Sequence, residues 1–330
     1  GVFILCFIRL NKSYDPLSRY PYVNDQNKEV ILEHMSQEDI DYMVNQHIKP
    51  EEFMDFIDVE GFDIHQTRSY KIAKDTQDAD NEYIVNFVNK YHSHFRRDEL
   101  ATLLSHYSYM DLTTFYENEQ VLNENIRLVV DPSDGRVVLG EDDSVYKYIP
   151  DQIIQWNEIF IKDSLKASLE EMQTDYATEL SGMSLRFVQG YTTYDTLSQT
   201  YAEKQAQYAE HTDLLYRNGG QSEFQLGMSV ATENAQIWND ACMMHIDEVG
   251  NIDYSAVEAT LTEQQRNQIV WLEENAYHYG FIIRYPFGQE ERTDQAYQPF
   301  VLRYVGKKQA KKMKKNNQVL EQADRKGWKV

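Results

Sequence analysis

Between Asn24 and Asp131 the chain meets one proline, Pro50, and one glycine, Gly61, while apolar residues recur at three- and four-residue spacing. A stretch this long with almost no chain breakers predicts helices joined by short turns. Ser36, followed by Glu38, Asp39, Ile40 and Met43, predicts a capped helix start, with acidic residues placed against the positive end of the macrodipole. Pro50 with Glu51 and Glu52 predicts the start of the next helix, because proline is tolerated in a first turn. A faint echo 59 residues on sets Val44, His47, Ile48, Phe53 and Phe56 against Leu103, His106, Tyr107, Leu112 and Phe115. Two copies do not make a repeat architecture, so the echo supports only a helical module over residues 13–120.

From Arg127 the texture changes. Leu128 to Val130 and Val137 to Leu139 flank a turn signal at Asp131–Gly135 and predict a hairpin. A helix with Leu165, Leu169 and Met172 on one face follows, and Leu185–Val188, Phe281–Arg284 and Phe300–Val305 predict strands. The fold class expected is α+β, a small and mostly antiparallel sheet with helices, preceded by an all-helical module.

The 54 acidic and 32 basic residues give a formal charge of -22, which excludes nucleic acid as a partner of the bulk of the chain. Residues 307–330 run the other way: nine basic side chains against Glu321 and Asp324 leave this tail near +7 and the remainder near -29. Such a run is ordinarily a solvated helix face, and otherwise a contact for an anionic wall polymer, a membrane surface or the acidic body. Cys6 and Cys242 predict no disulfide framework. The apolar opening Gly1–Ile8 is too short to span a bilayer; residues 1–12 read as the end of a membrane anchor or signal segment, or as a first buried strand. The organisation expected is therefore 1–12, a helical module at 13–120, an α+β domain at 121–306 and a basic helix and tail at 307–330.

Three blocks in the second half carry a resemblance. Trp271, Leu272, Asn275 and Ala276, then Tyr279, Gly280, Phe281, Arg284, Tyr285 and Pro286 form the first. Arg303, Tyr304, Val305 and Gly306 form the second, with Ala310, Met313, Leu320 and Glu321 behind it. Upstream lie the helix at Leu165–Met172 and the turn at Gly190, Tyr191 and Tyr194. In this order and spacing they resemble the VanY-type D-alanyl-D-alanine carboxypeptidases, from about Arg127 to Gln322. That family holds zinc through a His and an Asp in SxHxxGxxxD and a second His in EPWH, whose Glu is the general base. Ser222 and Gly227 keep the first spacing, but the resemblance puts Phe224, Ala231 and Val301 at the ligand positions and Gln298 at the base. Thr192 stands where the family turn carries an arginine for the substrate carboxylate.

Phenyl, methyl and isopropyl groups offer zinc no lone pair, and without the ion a bound water is not acidified. Gln298 cannot take up a proton, and Thr192 replaces a bidentate charge-assisted contact with a single hydroxyl. No cofactor is expected. The resemblance thus implies a catalytically inactive, membrane-anchored, extracytoplasmic protein that binds a peptidoglycan stem peptide or a cell-surface protein. Two alternatives are an active peptidase with a relocated metal site, drawing on His211, Glu223, His245, Asp247 or His278, and a purely structural subunit with the pocket filled. His92 and His94, two apart in an expected helix, cannot chelate together. Gly219 and Gly220 are expected as a flexible approach to the pocket.

Overall fold

A computed structural model describes residues 14–330, which separate into two compact units, up to Glu117 and from Asn118 onward. The expected anchor at residues 1–12 lies outside the described residues. No helix among the described residues is long and apolar enough to cross a membrane.

The first unit is helical: α1 (Lys28–His34), α2 (Gln37–Asn45), α3 (Thr67–Thr76), α4 (Asn81–Tyr91), α5 (Arg97–His106) and α6 (Tyr109–Thr114). Ser36 and Asp39 form a reciprocal capping box at α2, each side chain accepting the other's backbone N–H at 3.2 Å. Ile40 and Met43, one turn apart, then face a core of Leu17, Ile31, Ile48 and Phe53. At Pro50 the expected helix is only a three-residue 3-10 turn, Pro50–Glu52. Phe53 leaves helical geometry with its side chain fully buried, so burial of an aromatic ring overrides the helical start.

The second unit contains β1 (Arg127–Leu128), β2 (Asp143–Ser144), β3 (Ile153–Trp156), β4 (Ile159–Lys162), α7 (Lys166–Glu179), β5 (Phe187–Gln189), α8 (Tyr194–Tyr208), β6 (Ser229–Thr232), α9 (Ala235–Met244), α10 (Tyr254–Ala259), α11 (Glu263–Asn275), β7 (Phe281–Tyr285), β8 (Gln298–Tyr304) and α12 (Lys307–Asn316). Its main sheet, in the order β5-β6-β8-β7, is antiparallel throughout, and the unit has the expected α+β class. Registers Ser229↔Arg303, Ala231↔Val301 and Ile282↔Arg303 fix which side chains share a face. Val230, Phe281, Phe300 and Leu302 bury into a core with Leu165, Leu169 and Met172 of the α7 region, Trp238 of α9 and Trp271 of α11. Ser229, Ala231, Val301 and Arg303 occupy the opposite face.

That second face is closed at one end by the C-terminal segment. Ala310 and Met313 of α12 and Leu320 pack on Ile282 and Val305, while the α12 lysines remain outward. Lys307 lies 3.4 Å from Glu171, and Lys314 donates to the Glu273 carbonyl at 2.7 Å. Residues 307–330 are thus part of the second unit.

Two local expectations are corrected. No hairpin joins Leu128–Val130 to Val137–Leu139; β1 pairs in parallel with β2 instead. The carbonyls of Gly135 and Val137 accept from Arg303, and the Leu139 N–H donates to Glu223, so buried charges rather than a partner strand claim this backbone. The strand expected at Leu185–Val188 begins at Phe187, because the Leu185 carbonyl accepts from the Gln173 side chain at 2.8 Å.

Candidate functional site

The site begins at the turn after β5. A Cβ on Gly190 would overlap the Phe160 carbonyl oxygen, so only glycine lets the turn lie against β4. Tyr191 N–H donates to that carbonyl at 2.6 Å, and Thr192 N–H to the Phe224 carbonyl at 3.1 Å. The Thr192 hydroxyl is turned onto the Gly190 carbonyl, 3.0 Å away. Ser222 caps the next 3-10 turn, Glu223–Leu226, which ends at Gly227 with φ +77°. Here a Cβ would come 2.8 Å from Ile153 Cδ1, and the chain passes directly into β6.

Glu223 and Phe224 part company within this turn. The Glu223 carboxylate enters a buried network: Oε2 lies 2.7 Å from Arg284 Nε and 3.2 Å from Arg303 Nη1. Arg284 is also held bidentately by Glu321, at 2.7 and 3.0 Å. Burial alone would raise the Glu223 pKa, but the Arg284 and Arg303 guanidiniums outweigh it and hold the carboxyl below its ordinary value. Burial likewise works against the charge on Arg284, yet Glu223 and Glu321 leave its pKa well above the usual one. Arg303 is drawn below its usual value by burial, with Arg284 adding repulsion.

Phe224 instead joins Ala231, Val301, Tyr285 and Ala235 in one apolar cluster. The three positions where the resemblance places metal ligands therefore converge, two of them as a directly paired couple across β6 and β8. Their side chains have no donor atom for zinc, so the residues present do not fit that ion. Gln298 is buried nearby, donating to Gln295 Oε1 at 3.2 Å and less closely to the Ala296 carbonyl. Thr192, Phe224, Ala231, Gln298 and Val301 all line one cavity of about 440 Å³, which is open rather than filled.

The remaining framework residues are structural. Trp271 Nε1 donates to Glu179 at 2.7 Å, and Gly280 and Gly306 adopt positive φ where the strands β7 and β8 meet α12. Gly280 packs against the Tyr304 ring, and Pro286 follows β7. Gly219 packs tightly on Tyr194 and Ser198, and Gly220, at φ +84°, on Ser144 and Tyr146, so both serve close packing rather than a flexible approach.

The alternative ligands do not assemble: among the described residues no three His, Cys, Asp or Glu side chains are placed to hold a metal ion. Glu223 is committed to two arginines, and Asp247 caps its own loop through Val249 and Asn251. His278 lies against Tyr277, and His211 beside Glu210. His92 and His94 lie in a three-residue 3-10 turn. Cys242 is buried and free, its thiol pushed up to about 12 by burial, which removes it as a nucleophile.

Sequence reasoning missed the coupling of Glu223 to Arg284 and Arg303, and with it Gln295 and Arg217 in the cavity wall. A signal for the first existed. Each arginine interrupts an apolar strand, Phe281–Tyr285 or Phe300–Val305, and a charge in a buried strand requires a partner.

The sheet, the glycine turn and the buried arginines of the second unit thus surround an open cavity. The VanY family model, described as D-alanyl-D-alanine carboxypeptidase, matches residues 158–307. An Enterococcus faecium D-alanyl-D-alanine carboxypeptidase is 29% identical over 212 residues, 62% of this chain and 58% of that protein. The protein YodJ of Bacillus subtilis (strain 168) is 54% identical over 52 residues, 16% of this chain and 19% of that one. The chain thus spans less than two thirds of each of these relatives. A solved structure of VanYB in complex with D-alanine-D-alanine aligns with a TM-score of 0.44 at 22% identity, over 57% of this chain and 95% of that one. The similarity to the VanY-type D-alanyl-D-alanine carboxypeptidase family is thus carried by the second unit, over residues 158–307.

Proposed function

We propose that this chain binds a cell-wall stem peptide without cleaving it, as a member of the family that has given up its metal. The observation that carries this reading is the packing of Phe224, Ala231 and Val301 with Tyr285 into an apolar floor. Gln298 at the base position and Thr192 at the arginine position remove proton transfer and the family's carboxylate contact together. The open cavity favours ligand binding over a purely structural subunit, whose pocket would be filled by packing. A surface protein partner and an extracytoplasmic, membrane-anchored location complete the proposal.

Elemental analysis and a D-alanine release assay on pentapeptide, run on one preparation, test it. We expect neither stoichiometric zinc nor release. One zinc per chain, or chelator-sensitive release abolished by changing His211 or His245, would overturn the reading. Restoring Phe224→His, Ala231→Asp, Val301→His and Gln298→Glu together should create partial zinc binding with little turnover while Thr192 remains. No metal uptake by a folded quadruple variant would refute the assignment of these positions.

A further inference from the structure

Two cationic side chains reach the cavity wall, Arg217 and Arg284. Arg284 is spent, since Glu223 and Glu321 surround its guanidinium. The acid Glu158, also in the wall, is held bidentately by Arg186 at 2.6 and 2.8 Å. Arg217 differs. Its side chain is only 12% exposed, yet the carboxylate within ion-pair range, Asp213, stands 3.8 Å away. The same Asp213 oxygen already accepts the Tyr201 hydroxyl at 2.8 Å. A guanidinium brings five N–H donors, and here one has a close partner, the Asp294 carbonyl at 2.9 Å. A largely buried charge with so few close partners is suited to receive an anion.

The surroundings narrow that anion. Ser229, 1% exposed and in the same wall, has a hydroxyl with no hydrogen-bond partner in the protein. Beside these polar groups lie Ala231, Val301 and Ala235, which match a small apolar side chain. One unspent cation, with Asp213 near it and a chain charge of -22, favours a monoanion over a phosphate dianion. We propose that Arg217 anchors the terminal carboxylate of the cavity's ligand, taking over the task for which Thr192 has no charge. For the rest of the ligand this rests on the stem-peptide reading above.

Calorimetric titration of the full chain with diacetyl-Lys-D-Ala-D-Ala and with its C-terminal carboxamide tests the inference. Amidation and Arg217→Gln should each weaken binding roughly 10- to 100-fold, and together no more than either alone. Arg217→Lys should keep part of the preference for the free acid. Equal binding of acid and amide, or equal loss of both in a folded Arg217→Gln protein, overturns it. If neither peptide binds, N-acetyl-D-alanine is titrated while the arginine side-chain NMR signals are followed. A saturable response at Arg217 upholds the anchor and sinks the stem-peptide reading, whereas silence sinks the anchor itself.

Discussion

Glu321 is the point where the C-terminal segment reaches the charged half of the site face, and Glu321→Gln is the perturbation that tests it. The substitution preserves shape while removing the charge that Arg284 Nη1 and Nη2 meet at 2.7 and 3.0 Å. Arg284 and Arg303, both with no exposed side-chain surface, would then share the single carboxylate of Glu223. Breaking one partner out of a buried ion pair costs about 3–5 kcal/mol. Glu321 is 22% exposed, so water recovers part of that loss and about 2–3 kcal/mol is expected. The tryptophans, Trp156, Trp238, Trp271 and Trp328, all lie in the second unit, so their fluorescence follows its unfolding alone. The midpoint of thermal unfolding should fall by about 5–10 °C. Lys307→Gln serves as the control, because its pair with Glu171 is more than half exposed on both sides and should contribute nothing measurable. A Glu321→Gln protein within about 0.5 kcal/mol of the parent would refute the view that the tail is clamped through Arg284.

Gly190→Ala should destabilise the second unit by about 3 kcal/mol in urea titrations read by the same fluorescence, since a backbone carbonyl blocks its Cβ. An unchanged midpoint would mean that β4 and the turn separate freely. Glu223, whose folded pKa lies below its ordinary value, contributes stability that is present above the unfolded pKa and lost as pH falls through the folded one. Stability of the second unit should therefore decline from the ordinary glutamate range near pH 4.5 downward, and Glu223→Gln should flatten that decline while lowering stability at neutral pH. A variant that keeps the parental acid slope would place its origin elsewhere.

Strands β7 and β8 were legible because their apolar runs are bounded by Gly280, Pro286 and Gly306, and the α7 face was legible from Leu165, Leu169 and Met172. The segment Val137–Leu139 was not, because it looks like a strand while its backbone partners, Arg303 and Glu223, lie far away in sequence. Local pattern records propensity, and a buried ion answers only to tertiary structure. Arg217 and Gln295 were invisible for a related reason: isolated polar residues in irregular segments carry no period.

The same division explains how the fold tolerates an apolar floor where the family resemblance expects ligands. Glu223 and Phe224 are neighbours, yet Glu223 ties β7, β8 and the Leu139 loop together while Phe224 turns to the cavity. Val301 and Arg303 repeat that split along β8, two residues apart on one face. Glu223, Arg284 and Arg303 thus supply the buried charges that tie the strands together, while Phe224, Ala231 and Val301 form the apolar floor. The phenyl, methyl and isopropyl groups of Phe224, Ala231 and Val301 take no part in the partners of Glu223, Arg284 and Arg303, and bring no polar side-chain atom that would need a partner of its own. Arg217 stands at the cavity wall outside both the charged network and the apolar floor, so a change there touches neither.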